Sequence, residues 1–272
     1  MAHVRPPAVA GTFYPAQPER LVESVDALLG ASPDVGGAVP KALVIPHAGY
    51  IYSGPVAATA YARIRPVAAA IRRVVLLGPA HRVHLRGMAA PEAEVFDTPL
   101  GPVQLDTELL ARMGLPKSVA AHAREHSLEV QLPFLLRLLD QFRLVPIVVG
   151  DARAEEVAAL IEALWGGPET LVLISSDLSH YLPYADARQT DARTAGRIVA
   201  LDAPILHEEA CGATPINGLL LAARRRGLRP ELLDLRNSGD TAGGKGEVVG
   251  YGAFAFFEGA PEGRAGAGGA RA

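Results

Sequence analysis

Lys41-Ala-Leu-Val-Ile-Pro-His-Ala-Gly-Tyr-Ile-Tyr-Ser-Gly54 is the stretch around which the rest of the chain can be read. Its apolar run, Ala42 to Ile45, reads as a buried strand that Pro46 stops. His47 follows at once, then a Gly- and Tyr-rich turn, then a helix expected from near Pro55. A histidine just past the carboxyl end of a buried strand stands where open α/β sheets hold their ligands. The arrangement recurs twice. Arg73-Val-Val-Leu-Leu-Gly78 runs into His81, and Leu171-Val-Leu-Ile-Ser175 runs into Asp177-Leu-Ser-His180. Three strand ends carrying His47, His81 and His180 make one candidate site.

Outward from these strands, elements alternate. Helices are expected over Pro18–Leu29, Val56–Arg65, Ser127–Phe142, Ala154–Trp165, Asp186–Leu201 and Pro215–Arg226, the last capped by Thr214 and stopped by Gly227. Pro133 inside the third of these predicts a kink or a late start. Asp106 or Thr107 is expected to cap a short helix ending near Gly114. Further strands are expected over Leu144–Val149, Leu232–Leu235 and Val248–Phe257, with a hairpin or loop from Gly87 to Leu105 turning at Asp97-Thr-Pro-Leu-Gly101. Strand–helix alternation predicts an α/β fold, a mostly parallel central sheet flanked by helices. The last two strands lack a helix between them and can be antiparallel, which makes the sheet mixed. Val4 to Pro15 reads as an extended arm laid on the body and anchored by Phe13-Tyr14. Ala31 to Val39 reads as a loop. With no repeat or linker in view, residues 1–258 are expected to form a single domain and 259–272 a disordered Gly/Ala-rich tail.

Composition excludes several classes. The net charge of −3 over 272 residues, with no Lys/Arg run, gives no electrostatic footprint for nucleic acid. No segment is long and apolar enough for a membrane span, and the N-terminus lacks a signal-peptide core. The one cysteine, Cys211, rules out an internal disulfide framework and suits a reducing compartment, so a cytoplasmic protein is expected.

Imidazoles bind Fe, Zn, Cu and Ni, and two His with one carboxylate is the pattern of non-haem Fe(II) oxygenases, so the histidines point to a metal. Asp177 can orient His180 and make it a general acid/base, or simply cap a turn. Glu125-His126-Ser-Leu-Glu129 is placed at a helix start, where acidic residues are favoured; Glu125, His126 and Glu129 are equally readable as pocket residues. The spacing is not His-Glu-x-x-His, so a zincin-type protease is not supported. Cys211 precedes a helix N-terminus, where a thiol can be acidified, against the commoner fate of a small buried hydrophobe. Asn237-Ser-Gly-Asp240 reads first as a tight turn. His3, His84, His122 and His207 show no supporting pattern and are expected on the surface.

Taken in order, Arg5-Pro-Pro-Ala-Val-Ala-Gly-Thr-Phe-Tyr-Pro15, Pro46-His-Ala-Gly-Tyr-Ile-Tyr-Ser-Gly54, Gly78-Pro-Ala-His81, Glu125-His-Ser-Leu-Glu129, Ser175-Ser-Asp-Leu-Ser-His180, Cys211-Gly212 and Val249-Gly-Tyr251 resemble the Memo family. That family is similar in fold to the class III (LigB-like) extradiol dioxygenases. The resemblance implies that His47 and His81 are metal ligands, that Cys211 is the third, and that His180 with Asp177 is the acid/base pair. Ala213 and Thr214 depart from the family's usual basic residue and histidine. A thiolate favours copper(I), whereas Fe(II) is the metal of the dioxygenases. The resemblance also implies an AmmeMemoRadiSam-type system, with a radical SAM protein and an AMMECR-type protein as partners. Three functions follow: an iron-dependent dioxygenase-like oxidoreductase on a small aromatic molecule, a non-catalytic metal-binding or protein-interaction module, and a hydrolase using Cys211 as nucleophile with His180 as base.

Overall fold

The computed structural model describes residues 3–32 and 38–259. Part of the loop expected over 31–39, and the expected tail from residue 260 onward, lie outside the described residues. The chain enters through β1 (Val4–Arg5), turns at Val9 to Tyr14, and continues into α1 (Pro18–Ala31). Pro18 takes the first helical position, where its missing N–H has no partner to lose, and Leu21, Val25 and Leu29 form the buried stripe.

The deciding stretch folds as β2 (Ala42–Ile45), with the expected bounds, followed by α2 (Tyr50–Ala62). The helix starts at Tyr50, not at Val56, and carries Pro55 inside it. Gly49 supplies the extended cap. Pro55 cannot bond back to the Ile51 carbonyl, but Ile51 is exposed, so water reaches that turn.

Next come β3 (Arg73–Pro79), β4 (Met88–Ala89), and the β5 (Val95–Phe96) and β6 (Val103–Gln104) hairpin that closes through the predicted turn. In α3 (Thr107–Met113) the Asp106 carboxylate accepts the Leu109 N–H, and Gly114 ends the helix at φ +64°. After α4 (Val119–Ala123) the chain makes a single 3-10 turn and only then enters α5 (Leu132–Leu138). The long helix expected over Ser127–Phe142 is therefore much shorter, because Pro133 is tolerated only in the first turn.

β7 (Arg143–Val149), α6 (Ala154–Ala163), β8 (Thr170–Ser175), β9 (His180–Leu182) and α7 (Tyr184–Val199) follow. α8 (Ala213–Arg226) is capped by Gly212 and not by Thr214, which lies within the first turn. Gly227 at φ +64° stops α8 as expected. β10 (Arg229–Asn237) and β11 (Val248–Phe257) complete the chain as an antiparallel pair.

The main sheet runs β10-β11-β2-β8-β3-β7-β4, with β9 pairing beside it on β11. β2, β8, β3 and β7 are parallel, while β11, β10 and β4 join antiparallel, giving the mixed α/β sheet. Ala42–Ile45, Val74–Leu77 and Leu171–Ile174 are almost wholly buried, as central strands covered on both faces must be. A second, small sheet, β1-β5-β6, docks the N-terminal arm. The consequence for function lies in the strand order. β8 stands between β2 and β3, so the three segments leaving their carboxyl ends are neighbours in space. Among the described residues no helix is long and apolar enough to cross a membrane.

Candidate metal centre

His47, His81 and His126 bring one ligand nitrogen each to within 4.8 Å of one another. His47 arrives from β2 through Pro46 and is 1% exposed. His81 arrives from β3. His126 comes from the non-helical segment between α4 and α5. Its ring stacks on His81 at 4.6 Å and meets His47 edge-on at 5.4 Å.

Hydrogen bonds on the far nitrogens settle which nitrogen two of the rings offer. The Ser175 hydroxyl donates its one proton to the Ser127 carbonyl at 2.6 Å. Its lone pairs face Gln131 Nε2 at 2.9 Å and His47 Nδ1 at 2.9 Å. His47 Nδ1 must therefore carry a proton, which leaves the Nε2 lone pair free. His81 Nδ1 lies 2.9 Å from Glu125 Oε1, and the His81 N–H donates to Oε2 at 2.6 Å, so its Nε2 is free as well. His126 Nδ1 is 3.4 Å from Glu125 Oε1 but out of line for a hydrogen bond, and it is a buried nitrogen without a hydrogen-bond partner.

The electrostatics agree. Burial, then the neighbouring His81, pushes His47 well below the usual imidazole range. Burial, then His47 and His81, lowers His126 to about 3. Burial alone would raise Glu125, but the bonds from His81 and Ser127 outweigh it and hold the carboxyl at about 2. Three imidazoles beside a carboxylate that orients one of them form a donor set suited to a borderline transition metal.

Cys211 is close. Its sulfur lies 3.4 Å from His47 Nε2 and accepts the Asp177 N–H at 3.3 Å. It stands beside His47 and outside the three-nitrogen cluster. Burial and the Asp177 charge push its thiol up to about 12, opposite to the acidification that a helix N-terminus can produce. Its ring partner is His47 and not His180, which removes the basis for the nucleophile–base pair of a hydrolase.

Asp177 and His180 share the neighbourhood without bonding to each other. Asp177 Oδ1 accepts the His47 N–H at 2.7 Å, and burial raises this carboxyl to about 6. It thus holds the backbone of the His47 loop. His180 Nδ1 lies 2.8 Å from the Leu178 carbonyl, an acceptor only, so Nδ1 carries the proton and Nε2 is the basic nitrogen. Both residues line a cavity of about 500 Å³ with His126, Phe13, Tyr52, Tyr251 and the exposed Tyr181. Tyr181 holds the left-handed conformation, φ +58°, which a tyrosine rarely adopts.

Glu129 does something else. It is completely buried, and its carboxylate accepts from Arg5 Nη1, the Ala8 and Val9 N–H groups and the Tyr14 hydroxyl. It fastens the arm and lines neither cavity beside the histidines. The arm is nonetheless part of the site, because Phe13 packs on the His126 ring at 4.9 Å.

A Memo-like protein family model matches residues 5–255. A "MEMO1 family protein" of Ignicoccus hospitalis is 40% identical, covering 93% of this chain and 98% of its own. One from Aquifex aeolicus is 37% identical over 91% and 97%, and one from Pyrobaculum arsenaticum 36% over 93% and 99%. The chain belongs to the Memo family. Against the Memo resemblance, the structure adds His126 to the histidine cluster. In the sequence His126 reads equally as part of a helix start and as a pocket residue; Pro133, tolerated only in a first turn, is the signal that the helix begins later and that the acidic stretch is a loop. Of the pair that fixes His47, Gln131 stands in no motif, and Ser175 opens the Ser175–His180 motif without any signal that it bonds to His47. His122, expected on the surface, is buried, with Nε2 3.0 Å from the Ala89 carbonyl and Arg5 Nε on its own carbonyl. His84 and His207 are exposed, as expected, yet both line a second cavity with His81 and Cys211.

Proposed function

We propose that this Memo-family chain is a metal-dependent, dioxygenase-like oxidoreductase whose centre is held by His47, His81 and His126. The observation that carries the reading is the convergence of three imidazole nitrogens, two with their other nitrogen fixed by Ser175 and Glu125. When bound there, iron(II) would supply a Lewis-acidic, redox-active centre. The chain's own residues supply the rest. Phe13, Tyr52 and Tyr251 wall a cavity suited to a small aromatic substrate. His180 Nε2, free because Leu178 holds the other nitrogen, takes a substrate hydroxyl proton. Asp177 holds the His47 backbone in register with the cavity.

A second reading is favoured by one observation, the Cys211 sulfur at 3.4 Å from His47 Nε2. A soft donor there suits copper(I) and a non-catalytic metal-binding module, with a radical SAM protein as its partner.

The test is metal content of protein purified without a chelating tag, before and after anaerobic reconstitution with Fe(II), beside His47→Ala/His81→Ala. Near-stoichiometric iron that disappears in the double variant, with oxygen uptake on a catechol, is the expected result. Metal bound without oxygen uptake supports the second reading. No metal in the parent under any condition refutes both.

A further inference from the structure

The histidine cluster stands between two cavities that share no lining residue. One, described above, reaches His126 and carries phenols and His180. The other, of about 370 Å³, reaches His81 and Cys211, and its walls include His84, His207 and Asp151. Three segments build this second cavity, one of them the stretch leaving the end of β7, which contributes Asp151. The turn after β3 contributes His81 and His84, and the segment before α8 contributes His207 and Cys211.

We propose that this second cavity is a loading port through which a soft or borderline transition-metal ion reaches the centre, with His84 and His207 as capturing ligands at its rim. The proposal rests on the metal centre argued above and adds residues that the centre does not use. Exposure falls along the path through Cys211 to His47. His84 and His207 are exposed at the rim, Cys211 is half-buried and His47 is closed to solvent, while His81, also exposed, is the face that the centre itself turns to this cavity. The handover point is the Sγ to Nε2 approach of 3.4 Å between Cys211 and His47, where an ion held by sulfur is already next to a centre nitrogen. Imidazole and thiol are the donors that select copper(I) and zinc over magnesium or calcium, and the second cavity holds the chain's one cysteine. Asp151 adds a negative charge that draws cations inward. His207 Nε2 is 3.3 Å from the Thr214 hydroxyl, which steadies the ring and leaves Nδ1 for an incoming ion. Among the described residues, only the inner three histidines draw their ligand atoms together as a group. The port residues therefore form no closed cage, as a route requires: contacts strong enough to capture an ion and too few to retain it.

The experiment follows copper(I) uptake by tag-free apoprotein under anaerobic conditions, as loss of colour from a copper(I)–chelator complex in a stopped-flow instrument. The parent is compared with His84→Gln/His207→Gln and with His3→Ala, which removes an exposed histidine elsewhere. The expected result is a final stoichiometry equal to the parent in all proteins, with an uptake rate about tenfold lower in the double variant alone. An unchanged rate in the double variant overturns the port and leaves the centre standing. Loss of final stoichiometry also overturns it, since His84 and His207 would then be retaining ligands. If the parent takes up neither copper(I) nor Fe(II), the centre itself falls and the port with it.

Discussion

Because the single hydroxyl proton of Ser175 goes to the Ser127 carbonyl, the serine can only accept from His47, and Gln131 occupies its remaining lone pair. The Ser175→Ala variant is therefore expected to lower metal affinity about 10- to 100-fold while His47 remains in place, measured by competitive titration with Zn(II). Equal affinity in parent and variant would mean that the Nδ1 bond does not select the nitrogen that binds. A second residue-scale prediction concerns pH. His122 is 3% exposed, Nε2 is used by Ala89, and Nδ1 is buried with no hydrogen-bond partner, so the ring is kept neutral and burial lowers it to about 4. The unfolded chain takes up this proton below about pH 6.5, whereas the folded chain resists until about pH 4. The stability that neutral His122 contributes is thus intact above the upper value and lost as pH falls through that window, by roughly 3 kcal/mol in all. Urea unfolding at a series of pH values is expected to show a shallower acid slope in His122→Gln, which keeps a donor for Ala89; parallel slopes would assign the acid sensitivity elsewhere.

At the scale of elements, the arm and the segment between α4 and α5 depend on each other. Glu129 receives four donors from Arg5, Ala8, Val9 and Tyr14, and Phe13 then lies against His126. The pair Arg5–Glu129 is fully desolvated at 2.8 Å, so Glu129→Gln leaves a buried guanidinium without its counter-charge, at a cost of about 3–5 kcal/mol. Fast hydrogen exchange at the Ala8 and Val9 amides, together with weaker metal binding as Phe13 loosens from His126, is the expected outcome; retained protection of those amides would show that the arm is held by β1 pairing alone. Much at this scale was readable in advance. The apolar runs bounded by Pro and Gly located β2 and β11 to the residue, Asp106 and Gly114 delimited α3, and the Pro- and Gly-punctuated N-terminus announced an arm with aromatic anchors. What failed did so for local reasons. Thr214 is a good capping residue, but Gly212 comes first and its N–H goes to Ser176 Oγ, so the helix opens before the threonine. The acidic run at Glu125 has the composition of a helix N-terminus, yet its carboxylates are bound by His81 and by the arm, which only the folded chain supplies.

For the whole molecule, strand-end histidines can be read as a site only because a parallel sheet puts equivalent ends at one edge. The order of those strands is a long-range outcome: β11, the last strand, inserts between β10 and β2, and β8 inserts between β2 and β3, neither of which periodicity encodes. The centre is consequently built from segments far apart in sequence that are held by close packing, and Gly212 is one of the tight contacts near it. A Cβ at Gly212 would lie 2.6 Å from Ser176 Cβ and 2.9 Å from the Ser175 carbonyl oxygen, so backbone at the end of β8 or the start of α8 must move. Ser175 fixes His47, and Cys211 precedes Gly212, so either movement disturbs the centre without removing any functional group. Gly212→Ala is expected to lower stability by about 1–3 kcal/mol in urea unfolding, as overpacking does. It is also expected to weaken metal binding by about tenfold or more, within the range seen when a ligand's orientation is lost. A stable variant with parent affinity would show that the contact between β8 and α8 can relax away from His47 and Cys211, and that the strand ends alone position the three imidazoles.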